Sequence, residues 1–165
     1  MILIGLGANL SGPAGPPRAT LEAALAELAG GDVTVPARSR WWLTAPVPAS
    51  DQPWFTNGVA LLDTALGPAA LLARLHEIEA RFGRVRGAAN AARAIDLDLL
   101  AHGGTVGEGP PVLPHPRLHL RAFVLLPLAE VAPGWVHPRL GLGVSELIAR
   151  LPAAETGPLA IRPES

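Results

Sequence analysis

The sequence predicts an α+β fold built on a mostly antiparallel sheet. Short runs of aliphatic and β-branched residues alternate with two strongly periodic helical segments, in the order β-α-β-β-α-β over roughly the first hundred residues. That order is the split βαβ arrangement of ferredoxin-like folds. With 165 residues, of which 49% are apolar, the chain can form one domain with helices packed on the sheet in a three-layer αβα arrangement.

The first half of this core begins with an apolar run from Met1 to Leu6, which predicts a strand that leads into a loop. Apolar residues then recur at helical spacing from Pro17 to Leu28, and Gly30-Gly31 predicts the end of that helix. Val33 to Leu43 mixes β-branched and aromatic residues before a Pro-rich loop. We expect one strand there.

The second half adds two strands and three helices. Strands are predicted over Phe55 to Leu66 and Ile95 to Ala101, and helices over Pro68 to Gly83, Arg121 to Val131 and Val144 to Leu151. Between the first of these helices and the second strand, residues 84–93 hold three Arg and no acid, which predicts a mobile basic loop. Beyond Pro152 the sequence has little pattern, and we expect a peripheral tail.

The composition excludes several chemistries, because all thirteen basic residues are Arg and the chain has no Lys, Cys or Tyr. Without Lys, it cannot form a Schiff base, a Walker A loop or the lysine–glutamate pair of a protein kinase. Without Cys, it has no disulfide, no thiolate nucleophile and no structural zinc site of the usual kind.

Charge and hydropathy do not indicate a nucleic-acid or membrane partner. The net charge is −1, so no global basic surface is predicted. No apolar run approaches the roughly 18 residues of a membrane span, and no basic region precedes the apolar start. We therefore expect a soluble, cytoplasmic protein.

The most specific local pattern is the pair Asp96 and Asp98, two of only five Asp in the chain. On a strand, side chains at i and i+2 point to the same face, about 6–7 Å apart. Two carboxylates this close repel each other unless a cation lies between them, and hard oxygen ligands favour Mg²⁺ over a transition metal. The alternative is the solvent-facing polar side of an edge strand.

Arginines surround this acidic pair in the sequence. Arg84, Arg86 and Arg93 precede it, and Arg117 and Arg121 follow it. A polyanionic ligand could bridge the metal and the guanidinium groups, a combination that phosphoryl transfer uses. The alternative is a solvated charged loop.

Two weaker signals accompany these residues. His115 lies between two Pro, which stiffen the backbone and aim the ring, although a lone His is more often structural. Gly5 and Gly7 follow the first strand residues, but residue 10 is Leu and the full G-x-G-x-x-G is absent. A dinucleotide loop is therefore poorly supported.

Five sequence blocks follow one another along residues 1 to 150. They are G-L-G-A-N-L, D-Q-P-W-F-T-N-G-V, I-E-A-R-F-G-R-V-R, A-A-R-A-I-D-L-D-L-L and L-P-H-P-R-L-H-L-R-A-F-V-L-L-P-L-A-E-V-A-P. Together they resemble the 6-hydroxymethyl-7,8-dihydropterin pyrophosphokinase family of folate biosynthesis. The ordered succession is more specific than any one block. It implies a pyrophosphokinase domain over residues 1–151 and a C-terminal tail over residues 152–165.

In that family, ATP donates a pyrophosphoryl group to the hydroxymethyl oxygen of the pterin and AMP leaves. The resemblance implies catalytic roles for Arg84, Arg93, Asp96 and Asp98, with two Mg²⁺ ions held by the two Asp. The implied ATP-binding residues are His76, Glu79, Arg86, Leu99, His115 and Arg121. The implied pterin-binding residues are Thr44, Ala45, Val47, Phe55, Asn57 and Phe123. We expect these small molecules as substrates, no nucleic-acid or membrane partner, and a monomer.

Some positions depart from the family pattern. Ala8 replaces the usual Ser of the first motif, and Phe55 stands where the family often has Tyr, so the hydroxyl is lost while stacking is kept. The basic loop lacks a Trp, and Asn90 lies about where an aromatic lid residue would be. We expect a lid less well sealed against water. Val112 and Pro116 replace polar or aromatic positions.

Two other functional classes are left open by the sequence. One is a non-catalytic nucleotide- or pterin-binding module of the same fold, weakened by the lid substitutions. The other is a ferredoxin-like domain with an RNA-binding face. It is disfavoured because no aromatic-rich strand motif of the RRM type occurs and the net charge is negative.

Overall fold

The computed structural model describes residues 1–83 and 94–165. Within them the strands are β1 (Ile2–Ala8), β2 (Val33–Arg38), β3 (Trp42–Thr44), β4 (Phe55–Thr64), β5 (Asp96–His102) and β6 (Ile161–Pro163). The helices are α1 (Pro17–Leu28), α2 (Pro68–Arg81), α3 (Ala122–Val131), α4 (Val144–Ala149) and α5 (Ala153–Thr156), with a 3₁₀ turn at Leu118–Leu120. The predicted α+β class is confirmed.

One sheet organises these elements, with strand order β5-β1-β4-β3-β6 and with β2 also paired to β4. Every strand pair is antiparallel, as predicted. When β2 and β3 are counted as one interrupted strand, the first five strands and two helices follow the expected βαββαβ order. Strand β1 lies between β4 and the edge strand β5.

Helices cover both faces of the sheet, which gives three layers. Ile4 and Leu6 of β1 join a core with α1 and α2, whereas Leu3 and Val59 join a second core with α3 and α4. Six of the seven residues of β1 are buried. Because both faces are covered, β1 is a continuous apolar run, whereas the first residues of its neighbour β5 alternate between half-buried and buried.

The single strand predicted over Val33 to Leu43 is wrong, because the structure divides it into β2 and β3. At the break, the Ser39 hydroxyl accepts a hydrogen bond from the Val59 backbone N–H at 3.0 Å, replacing a ladder bond. Trp41 is 2% exposed and its ring lies over Gly58, where an added Cβ would come within 2.8 Å of it. A side chain turned into the core interrupts the alternation of the strand.

The segment after Pro152, where the sequence predicts only a tail, adds a strand to one edge of the sheet. This segment forms α5 and then β6, which pairs antiparallel with β3. Ile161 is only 4% exposed. Three residues are too few to show a period of two, so the pairing partner, and not the local sequence, determines this strand.

The two long helices have simple local causes. Each begins with Pro in its first turn, where the missing N–H costs no helical hydrogen bond. Leu21 and Leu25 of α1 and Leu71 and Leu75 of α2 are buried at helical spacing. Nowhere in residues 1–83 and 94–165 does a helix have the length and hydrophobicity needed to cross a bilayer.

Candidate active site

A cleft of about 260 Å³ lies at the edge of the sheet, along β5. It is lined by Leu72, His76, Glu79, Asp96, Leu97, Asp98, Leu99, Pro111, Val112, His115 and Pro116. These residues come from α2, from β5 and from the segment that follows β5. The cleft therefore brings together six residues predicted from sequence: His76, Glu79, Asp96, Asp98, Leu99 and His115.

Asp96 and Asp98 lie half-buried on β5, two residues apart, so their carboxylates share a face of the strand. In the part of the chain that the structure describes, no group of three or more His, Cys, Asp and Glu is gathered as a metal site. Mg²⁺ is commonly held by one or two carboxylates, with water and substrate phosphates as its other ligands. The pair thus fits Mg²⁺ bound together with a phosphate ligand, and it does not fit a metal held by protein alone.

Glu79 connects α2 to the outer edge of β5. The residue is 4% exposed, and its carboxylate accepts a hydrogen bond from the Leu97 backbone N–H at 2.8 Å. An edge strand otherwise leaves such a donor unpaired. Glu79 therefore holds β5 at the residue between the two Asp.

His115 enters the same cleft as a neutral ring. Burial, with Arg121 and then Arg117 nearby, lowers its pKa to about 4, although Asp96 acts in the opposite direction. Its Nδ1 accepts a hydrogen bond from the Arg117 backbone N–H at 3.1 Å. The ring proton is then on Nε2, so His115 can donate a hydrogen bond to an anion at neutral pH.

A second group of predicted residues lies on the face of the sheet that α3 covers. Gly7 is directly opposite Asn57 on β4 and Asp96 on β5. Residues paired in this way have their side chains on one face, so Asn57 and Asp96 flank Gly7 two strand spacings apart, about 10 Å. The face that holds the acidic pair continues directly to Asn57.

The polar centre of this second group is a buried hydrogen bond. Asn57 Nδ2 donates to Thr44 Oγ1 at 2.6 Å, and both residues are almost fully buried. The Thr44 hydroxyl and the Asn57 amide oxygen can in turn recognise donors on a flat heterocycle. Phe55, opposite Thr44 in the register, is half-buried beside them.

The remaining predicted residues lie around this centre. Ala45 is half-buried and its N–H donates to the Ala160 carbonyl at 2.9 Å. Val47 is 72% exposed, so it contributes no buried contact here. Phe123 lies half-buried on α3, and the Arg121 guanidinium carbon is 5.3 Å from its ring centroid.

The predicted arginines of the basic loop, Arg84, Arg86 and Arg93, lie outside the described residues, as does Asn90. Their roles stay predictions. Of the arginines that the structure describes, Arg117 and Arg121 act electrostatically on His115 in the cleft.

Sequence reasoning missed two residues that shape the site. A Cβ on Gly7 would come within 2.5 Å of Asn57 Oδ1, so this glycine is needed for the position of the amide and not for a dinucleotide turn. Asn9 is 2% exposed and its Nδ2 donates to Gln52 Oε1 and to the Pro53 carbonyl, each at 3.1 Å. It ties the end of β1 to the loop before Phe55. Only the G-L-G-A-N-L block carried a signal for either residue.

The fold and the site define a class of protein: a three-layer α+β domain with a carboxylate-lined cleft at the sheet edge and a polar pocket on one face of the same sheet. The profile of the 7,8-dihydro-6-hydroxymethylpterin-pyrophosphokinase (HPPK) family matches residues 3–133. The chain belongs to this family.

Curated relatives agree with that assignment. The 2-amino-4-hydroxy-6-hydroxymethyldihydropteridine pyrophosphokinase of Synechocystis is 37% identical over 160 residues, 96% of this chain and 80% of the relative. The protein of that name from Methylorubrum extorquens is 42% identical over 150 residues, 90% of this chain and 91% of the relative. The one from Pseudomonas aeruginosa is 39% identical over 153 residues, 92% and 91% of the two chains.

Proposed function

We propose that this chain transfers the pyrophosphoryl group of ATP to the hydroxymethyl oxygen of 6-hydroxymethyl-7,8-dihydropterin and releases AMP, in folate biosynthesis. One observation carries the proposal most directly: the register of β4, β1 and β5 sets Asn57, Gly7 and Asp96 side by side on one face. A pterin held at Asn57 and a phosphate chain held at Asp96 would then be neighbours.

ATP would occupy the cleft along β5. Leu72 and Leu99 give the cleft apolar walls for a base, and Asp96 and Asp98 lie farther along the strand. The Nε2–H of neutral His115 would donate to a phosphate oxygen. Arg84, Arg86, Arg93 and Arg121 would supply positive charge, as the family resemblance implies.

The pterin would lie against Thr44 and Asn57, with Phe55 and Phe123 as aromatic neighbours. The buried Thr44–Asn57 hydrogen bond fixes the amide, so its oxygen and remaining N–H can meet the ring edge without losing rotamer freedom on binding. Aromatic stacking suits a flat heterocycle and tolerates Phe at position 55.

Asp96 and Asp98 would hold two Mg²⁺ ions, as the family resemblance implies. When bound, these ions would neutralise charge on the phosphate oxygens and orient the triphosphate of ATP for in-line attack. The protein residues contribute positioning: the hydroxymethyl oxygen forms a bond to the β-phosphorus, the bond from that phosphorus to the α,β-bridging oxygen breaks, and the hydroxyl proton is released. Catalysis of this kind depends mainly on alignment and electrostatics.

We expect the enzyme to act as a monomer. Sedimentation equilibrium would then give a mass near 17.1 kDa. A mass of twice that value at enzyme concentrations used for turnover would contradict the monomer.

The activity is tested by incubating the protein with ATP, Mg²⁺ and the pterin alcohol and separating the nucleotides by chromatography. We expect AMP, formed only when the pterin is present. ADP as the nucleotide product, or no pterin-dependent turnover, would overturn the proposal. Calorimetry distinguishes the non-catalytic module, which would bind ATP or the pterin and leave ATP intact over a long incubation.

A further inference from the structure

The C-terminal strand β6 supports the wall of the pocket that holds Thr44 and Asn57. Strand β3 has only three residues and lies between β4 and β6. Its register places Thr44 opposite Phe55 on one side and opposite Ile161 on the other. A strand this short, paired on one side only, would be marginal, so β6 supplies half of its backbone pairing.

Backbone hydrogen bonds extend this support beyond both ends of β3. The Ala45 N–H donates to the Ala160 carbonyl at 2.9 Å, and the Glu164 N–H donates to the Trp41 carbonyl at 2.8 Å. The chain on either side of β3 is therefore held by the segment from residue 160 to residue 164. Ile161 adds a buried apolar anchor, at 4% exposure.

A side-chain contact also links β6 to the chain just before Phe55, on the other side of the same pocket. The Arg162 guanidinium carbon lies 4.4 Å from the ring centroid of Trp54, the residue before Phe55. Arg162 Nη1 also donates to the Pro158 carbonyl at 3.2 Å, which holds the side chain over the ring. The loop next to Trp54 is fixed in turn by Asn9, through the Pro53 carbonyl.

We propose that β6 is a positioning element for the pterin, acting through the Arg162–Trp54 contact and through the pairing of Ile161 with Thr44. This proposal rests on the proposed function. Among the described residues, those that line the nucleotide cleft do not come from this segment, so we expect an effect on only one of the two substrates. The matched family segment ends at residue 133, and the support comes from the chain beyond it.

The test compares steady-state constants for the two substrates in Arg162→Ala. Loss of an exposed cation–π contact should raise the KM for the pterin about two- to fivefold, with kcat and the KM for ATP unchanged. Arg150→Ala is the matched control, because it removes another exposed arginine, at the end of α4, and should change neither KM. Equal KM values for the pterin in wild type and Arg162→Ala would overturn the proposal, as would equal changes in both KM values.

A double-mutant cycle tests the route through the ring. If Arg162 acts through Trp54, then Arg162→Ala should add nothing to the rise in pterin KM caused by Trp54→Ala. Multiplied effects would overturn this route. Deletion of residues 157–165 should give a larger rise, about tenfold, and the point variants keep the proposal testable if the shortened chain does not fold.

The outcomes separate this proposal from the one on which it rests. A wild-type chain without pterin-dependent AMP formation overturns both. A wild-type chain that forms AMP, with the pterin KM unchanged by Arg162→Ala, overturns only the role of β6.

Discussion

The carboxylates of Asp96 and Asp98 are the residues on which the proposed chemistry depends most. Replacing either with Asn keeps its size but removes a charged ligand, so kcat should fall by at least about 10²-fold. Asp63→Asn is the control, since Asp63 is exposed on β4 and should retain wild-type rates. The measurement is turnover, with circular dichroism as a check of folding. Wild-type rates in either Asp variant would refute the metal role.

His115 should titrate far below an ordinary histidine. Its pKa is lowered to about 4 by burial and by Arg121, so the unfolded chain takes up this proton before the folded chain does. The contribution of His115 to stability is therefore complete above about pH 6.5 and is lost as the pH falls towards 4.

Nuclear magnetic resonance of the histidine rings measures this pKa directly. We expect a neutral ring protonated on Nε2 throughout pH 5.5 to 8 in the unliganded protein. A titration midpoint of His115 at or above pH 6.5 would show that burial and the nearby arginines do not lower its pKa.

Among individual residues, the sequence predicts the acidic pair and the polar residues that the structure brings into the cleft and beside Asn57, but not the glycine that makes room for the Asn57 amide. Asp96 and Asp98 could be identified because paired carboxylates between apolar neighbours are rare. Gly7 could not, since its role follows from the strand opposite it, where Asn57 lies. The chain has no Lys, so arginines must supply the positive charge near the cleft. Arg117 and Arg121 lower the pKa of His115 there, and a guanidinium group can bind phosphate through two N–H groups.

Strand β1 separates the acidic pair from Asn57, and its two glycines are not equivalent. Gly7→Ala would bring Cβ within 2.5 Å of Asn57 Oδ1, so the amide must rotate and lose its bond to Thr44. We expect a rise of about tenfold in the KM for the pterin, the size of one lost buried hydrogen bond.

Gly5→Ala is the matched control on the same strand. There the added Cβ would meet the Leu100 side chain at 3.5 Å, an ordinary van der Waals contact. The measurement is the KM for the pterin in the two variants. Equal KM values in Gly7→Ala and Gly5→Ala would contradict this account of β1.

The link between α2 and β5 should contribute measurably to stability. Glu79→Ala leaves the Leu97 N–H without its carboxylate acceptor at 2.8 Å, which should lower the free energy of unfolding by about 1–3 kcal/mol. Glu77→Ala changes an exposed residue of the same helix and should alter it by less than about 0.5 kcal/mol. Urea unfolding measures both, and equal values would contradict the link.

Among elements, long periodic segments are predictable and short ones are not. The helix predicted over Pro17 to Leu28 is confirmed, because its apolar spacing and its Gly stop both act locally. The division of β2 from β3 depends on Trp41 packing over Gly58, and β6 depends on β3. Those causes are distant in sequence, so no local pattern reports them.

At the scale of the whole molecule, the acidic cleft and the Thr44–Asn57 pair lie on a single sheet, which α1 and α2 cover on one face and α3 and α4 on the other. The composition of the chain excludes lysine and cysteine chemistry, and the order of predicted strands and helices predicts the three-layer fold. The proximity of Asp96 to Asn57 required the register across β5, β1 and β4. Because Asp96 and Asn57 lie close together, we expect ATP and the pterin, once bound, to react with each other and not separately with water.

Phosphorus magnetic resonance of a reaction containing the protein, Mg²⁺, ATP and the pterin alcohol tests that claim most directly. We predict that the AMP resonance grows in a 1:1 ratio with the two coupled resonances of a pterin diphosphate ester, with no inorganic phosphate or ADP. AMP with free pyrophosphate, ADP as the product, or ATP that stays intact with the pterin present would contradict it.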